Sequence, residues 1–166
     1  MYTEGLVMEN RIISLSRHEV AEMETKRLYE SMCHRSMLER IRMAFSKQAN
    51  KLTPLPEVVE NAAGQPESHY LGRQTVSLSV IRGSSNSGRT IDFDANFCPR
   101  HTNTKQRWFS IATARKLGKG LPPVRLIQHG NTYFVEDGHH RISVALALGD
   151  SEIEAAVTRL GLSPAF

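Results

Sequence analysis

Cysteine is scarce in this chain: Cys33 and Cys98 are the only two among 166 residues, far apart in sequence and in no C-x-x-C pair. That excludes a small secreted domain held by disulfides, and the expectation is a reducing, cytoplasmic compartment. Long apolar runs are missing too. No stretch approaches the ~20 apolar residues of a membrane span. The first twenty residues, which include Glu4, Glu9 and Arg11, lack the apolar core of a signal peptide, so no membrane partner is expected. Neither charge sign dominates: 21 Lys and Arg face 17 acids, for a net charge of +4 and a pI near 9.3. Such a balance permits an anionic partner without requiring one. Hydrophobic residues make up 40% of the chain and the mean hydropathy is −0.36, which argues against wholesale disorder. The length suits about one domain, large enough to bury a core without metal or disulfide.

What is there begins with a helical third. Ser16 and Glu19 have the S-x-x-E form of a capping box, and residues 17–47 contain neither Gly nor Pro. The spacing of Leu38, Ile41 and Phe45 predicts one apolar stripe, while a break near Cys33–Ser36 stays open. Pro54, Pro56 and the run from Ala62 to Pro66 predict a connecting region. Val76, Leu78 and Val80 alternate with Ser77 and Ser79, as a half-buried strand does. Residues 82–89 read as a polar loop bracketed by Arg82 and Arg89. A helix is expected over Lys105–Leu117, stopped by Gly118, Gly120 and Pro122-Pro123. Val124–Gln128 and Thr132–Val135 then form a hairpin around Gly130-Asn131. A loop from Glu136 to Arg141, a helix from Ile142 to Leu148 and a strand over Ile153–Val157 complete the chain. The fold class is α+β: a small α/β core at 70–160 behind a helical N-terminal extension and linker at 1–66.

The chemistry concentrates in Asp137-Gly138-His139-His140-Arg141, where a strand runs into a helix. The first N–H groups of a helix lack intrahelical acceptors and lie at the positive end of its dipole, which makes an anion site. Gly138 can let a phosphate approach the backbone, and Arg141 can clamp phosphate oxygens bidentately. His139 and His140 can donate hydrogen bonds or move protons near neutral pH, and Asp137 can accept one. The plainer reading is that Gly138 turns the chain, Asp137 caps the helix and Arg141 is solvated.

The run DGHHR followed by ISVALALG, with its upstream strand and the LPPV-x-L strand before it, resembles the ParB–sulfiredoxin superfamily from Val76 to Thr158. Members share a small α/β domain whose strand–loop–helix carries a phosphate motif. The resemblance implies binding of a nucleotide (ATP, ADP or CTP) with Mg²⁺. It implies phosphate contacts from Gly138, His140, Arg141 and Ser143, with Arg100 as a further ligand, and catalytic roles for Asp137 and His139. It also extends to bacterial ParB-like proteins. His139 stands where sulfiredoxins carry their catalytic cysteine, so sulfinic acid reduction is not implied.

Other candidates lie nearby. Residues 95–135 hold Arg100, Lys105, Arg107, Arg115, Lys116, Lys119 and Arg125 with no acid, and Trp108 and Phe109 lie among them. This pattern suits a DNA or RNA groove, or an ordinary helix face with the aromatics in the core. Cys98 and His101 have C-x₂-H spacing, too little alone for zinc, and no metal site is expected from them. Asp92 and Asp94 could share one face and hold Mg²⁺. Met23, Met32, Met37 and Met43 on the N-terminal helix suit a core or homodimer surface. The expected function is nucleotide binding with hydrolysis or phosphate transfer at the DGHHR loop. The alternatives are a nucleic-acid-binding protein or ParB-like nuclease using residues 95–135, or a nucleotide-switched adaptor without catalysis.

Overall fold

The computed structural model describes residues 15–46, 51–55, 65–101 and 104–163. The capping box forms as the sequence predicts: Ser16 N–H donates to Glu19 Oε2 at 2.7 Å and Glu19 N–H donates to Ser16 Oγ at 3.2 Å. From there α1 runs unbroken over Arg17–Ser46. The expected Leu38–Ile41–Phe45 stripe is not its packed face. Leu38 and Ile41 are half exposed, and the side chain of Phe45 lies outside the described residues. Among its described side chains, the buried positions are Ala21, Thr25, Met32 and Ser36. Two of these four are hydroxyl residues with partners in the core: Thr25 Oγ1 accepts from Thr113 Oγ1 at 3.4 Å, and Ser36 donates to Asp94. Apolar periodicity alone could not find such a face.

Six strands form one mixed sheet. They are β1 (Thr53–Pro54), β2 (Gln65–Ser77), β3 (Ile81–Ser84), β4 (Val124–His129), β5 (Thr132–Asp137) and β6 (Glu152–Ser163), in the order β1-β3-β5-β4-β6-β2. The β4–β5 hairpin turns at Gly130, whose φ of 58° fits a tight two-residue loop. The expected strand over Val76–Val80 ends at Ser77, whose hydroxyl accepts from Ser79 N–H and caps a 3₁₀ turn over Leu78–Val80. Arg82, Gly83 and Ser84, expected in a loop, lie in β3, where Gly83 and Ser84 pair with β5 and Arg82 sits at a register shift. Strand β2 starts inside the expected linker, and Leu52, just before β1, is fully buried. Residues on either side of that linker thus share one sheet and one core.

Three helices follow β3: a single turn α2 (Arg89–Asp92), α3 (Lys105–Lys116) and α4 (His139–Leu148). Helix α4 is buried on two sides, which explains its nearly continuous apolar sequence. Ile142 and Ala145 join Leu126, Val135 and Val157 against the sheet, while Val144 and Ala147 join Met32, Trp108 and Ala112 beneath α1 and α3. Burying α4 between these layers fixes where its first turn opens. Among the described residues no helix is long and apolar enough to cross a membrane.

Candidate functional site

The loop expected from Glu136 to Arg141 is one residue long. Strand β5 ends at Asp137, Gly138 is the N-cap, and α4 starts at His139. Gly138 has φ of 109°, and a Cβ there would stand 2.6 Å from Val124 Cγ1, so only glycine fits. Its carbonyl accepts from Ile142 N–H at 3.0 Å, and no side chain caps the turn. Among the described residues no side chain accepts from the first N–H groups of α4.

This helix start faces a cavity of about 160 Å³. Asn86 and Arg89 come from the β3–α2 segment, Arg107 and Ile111 from one face of α3, and Glu136, Asp137, Gly138, His139, His140 and Arg141 from the β5–α4 junction. Three guanidiniums converge there with two carboxylates. Arg89 Nη1 lies 3.0 Å from Asp92 Oδ2, Glu136 is held by Arg125 at 2.7 Å and Asp137 by Arg141 at 2.6 Å. Arg107 has no ion-pair partner among the described residues. A larger groove of about 780 Å³ lies at the other end of α4, beneath α1, with Leu78, Ile81, Phe97 and Leu146 in its lining. Arg89, Arg107 and Arg141 line the smaller cavity together with the start of α4.

Both histidines are buried. His139 Nε2 lies 2.9 Å from Ser84 Oγ, and its ring stacks on Phe93 with centroids 5.5 Å apart. Burial pushes its pKa down to about 4, with Arg89 and then His140 adding to the shift. A neutral imidazole bonded to Ser84 with so low a pKa is a weak general base at neutral pH. His140 is lowered by burial and by Arg107 and Arg89, against a hydrogen bond from its ring to the Thr104 carbonyl. Its Nε2 is buried with no partner among the described residues, at a residue 92% buried that lines the cavity. Arg89 lies close enough to act on both histidines, and Arg107 on His140, but burial is the larger cause at each.

The remaining sequence candidates fall elsewhere. Ser143 is a structural group: Trp108 Nε1 donates to its Oγ at 2.9 Å, and the hydroxyl faces Met32 Sδ at 3.7 Å. It sits one turn beyond the cavity, on the face of α4 turned to α3. Arg100 is exposed and outside the cavity lining, and its N–H donates to the Asp92 carbonyl at 2.8 Å. Asp92 and Asp94 do not share a face. Asp92 holds Arg89, whereas Asp94 is buried and caps its own loop, accepting from the N–H groups of Asn96 and Cys98 at 2.9 Å each. Trp108 is fully buried and offers no stacking platform. Arg115 and Lys116 in the basic stretch pair with Asp150 and Glu24. Arg89, which the sequence places only at the edge of a polar loop, and Arg107, which it places in the basic stretch, join the DGHHR junction in one cavity. The i, i+4 spacing of Arg107 and Ile111 on one helix face was the available signal.

The fold and site thus define an α+β domain with a cationic cavity at an uncapped helix start. No family model matches the chain, and no curated protein matches it. Among solved structures, the crystal structure of sulfiredoxin from Arabidopsis thaliana aligns with 51% of this chain and 82% of its own, at 21% identity and a TM-score of 0.35.

Proposed function

We propose that this chain binds the phosphate end of a nucleotide, ATP, ADP or CTP, at the start of α4. The observation that carries this reading is the uncapped first turn opening on a cavity that gathers Arg89, Arg107, Arg141 and the unpartnered Nε2 of His140. Free helix N–H groups and guanidinium forks are what phosphate oxygens accept from. A cavity of about 160 Å³ is well below the ~300 Å³ at which pockets for whole small molecules begin. It suits a phosphoryl group, with the nucleoside outside its mouth. The nucleotide itself enters from the resemblance of the DGHHR junction to the ParB–sulfiredoxin superfamily.

Mg²⁺ belongs to this reading as a companion of the phosphates. Glu136 and Asp137 are both tied to arginines, so these carboxylates do not fit a resident cation. Phosphoryl transfer or hydrolysis is the enzymatic extension of the same reading, since it needs mainly positioning and charge neutralisation. Asp137 is the group for a proton role there, and His139 positions the loop through Ser84.

The test is thermal unfolding with ATP, ADP, CTP and inorganic phosphate, each with and without Mg²⁺. Ligand at a hundred times its Kd stabilises the folded state by about 2.7 kcal/mol, a rise of several degrees for a chain of this size. No shift with any of them at millimolar concentration overturns the proposal.

A further inference from the structure

The chain has two cysteines, and the fold brings them together. Helix α1 presents Tyr29, Cys33 and Ser36 on successive turns of its inner side, against the loop that carries Phe93 to Pro99. Cys33 and Tyr29 pack against the cluster in which Cys98 is buried, and the Cys98 thiol donates to the Pro99 carbonyl at 3.8 Å. Ser36, three residues beyond Cys33 on α1, donates to Asp94 Oδ2, while Asp94 Oδ1 accepts from the Cys98 N–H at 2.9 Å, which ties the α1 turn carrying Cys33 to the loop carrying Cys98. Both thiols belong to one apolar cluster with Met32 and Trp108. Cys98 is buried and Cys33 only half-buried.

We propose that Cys33 and Cys98 form a redox modification site, which reacts with a hydroperoxide and closes as an intramolecular disulfide between α1 and the Phe93–Pro99 loop. The order of events follows exposure. Cys33 is the sulfur an oxidant reaches first. Its thiolate attacks the terminal peroxide oxygen and the O–O bond breaks. Cys33 becomes a sulfenic acid, and the peroxide leaves as an alcohol, or as water from hydrogen peroxide, carrying the thiol proton. The Cys98 sulfur then attacks the Cys33 sulfur, forming S–S and breaking S–O. Hydroxide departs as water with the Cys98 proton. One hydroperoxide and two thiols give one disulfide, one water and one alcohol or second water. Burial raises the Cys98 thiol to about 12, so Cys98 is not the first nucleophile, and its attack on Cys33 requires its proton to leave as the S–S bond forms.

The bond would tether α1 to a loop already under constraint. Phe97 has φ of 57°, unusual for a bulky residue. Phe93 and Phe97 pack against the ring of His139, with centroids 5.5 and 6.5 Å away.

The experiment treats the folded, reduced full chain with one equivalent of hydrogen peroxide, then reads thiol content, intact mass and a non-reducing peptide map. The expected result is loss of both thiols, a mass lower by two hydrogens, a linked Cys33–Cys98 peptide and a monomer on a non-reducing gel. In Cys98→Ser, the reaction should stop at a Cys33 sulfenic acid that dimedone traps; in Cys33→Ser, the remaining thiol should resist peroxide until the protein is unfolded. Two thiols still titratable in the wild type, an oxygen added to one cysteine without a link, or disulfides only between chains would each overturn the proposal. These readouts do not involve nucleotide and stand or fall separately from the phosphate site.

Discussion

Arg141 reaches back one helical turn to Asp137, with Nη2 at 2.6 Å from Oδ2, while its Nη1 donates to the carbonyls of Pro122 at 2.6 Å and Pro123 at 2.8 Å. The guanidinium therefore staples the segment entering β4 to the first turn of α4. A residue read from sequence as a phosphate clamp is, in the fold, also a structural brace. The prediction is that Arg141→Ala lowers stability by about 1.5–3 kcal/mol, the range for hydrogen bonds to a charged group. Arg141→Lys should recover only part, because an ammonium cannot reproduce a planar fork that serves three oxygens. Urea unfolding of the three proteins checks this, and equal midpoints would mean the staple contributes nothing.

His139 makes stability depend on pH. Its folded pKa, about 4, lies below the 6.5 of a free imidazole. Between those values the unfolded chain takes up a proton that the folded chain does not. The stabilisation is thus complete above about pH 6.5 and is lost as pH falls toward 4, by up to about 3 kcal/mol. The lowered pKa of His140 acts with the same sign. Urea midpoints measured from pH 8 down to pH 4.5 should fall, and His139→Gln should flatten the slope. An unchanged slope in that variant would place the dependence elsewhere.

Ser143 separates brace from ligand in a different way. Removing its hydroxyl leaves Trp108 Nε1 buried without an acceptor. Ser143→Ala should therefore cost about 1–3 kcal/mol of stability and leave phosphate affinity unchanged. A variant of native stability with weakened phosphate binding would return Ser143 to the site.

Gly138 gives the sharpest steric case. A methyl group there meets Val124 at 2.6 Å and forces an L-residue to φ of 109°. Strain of this kind costs of the order of 1–3 kcal/mol before the clash is counted. Gly138→Ala should show a large loss of unfolding free energy, and a variant as stable as wild type would contradict the packing described.

Much of this fold is legible locally in the sequence. Ser16 and Glu19 announce the start of α1, Gly130-Asn131 the hairpin, and Gly149 the end of α4, because each signal lies within a few residues of the structure it makes. The site is legible only in part. DGHHR marks the junction, but its extent depends on Arg89 and Arg107 arriving from separate elements. Arg141 lines the cavity and also binds the carbonyls of Pro122 and Pro123, which lie far from it in sequence. The inner face of α1 escaped apolar periodicity because Thr25 and Ser36 pack through hydrogen bonds. Residues 82–84 looked like loop because their polar character conceals a parallel pairing with β5, which is set by tertiary contacts.

The central claim is that phosphate binds at the start of α4, and Arg107 tests it most directly. It lines the cavity, lacks an ion-pair partner among the described residues, and braces none of the surrounding chain as Arg141 does. Calorimetric titration of inorganic phosphate and ATP into wild type, Arg107→Ala and Arg100→Ala should show affinity falling about tenfold in Arg107→Ala, the loss of roughly 1.4 kcal/mol expected for one charge-assisted contact. Arg100→Ala should bind as wild type does. Equal affinity in Arg107→Ala and wild type, or a loss confined to Arg100→Ala, would contradict the account.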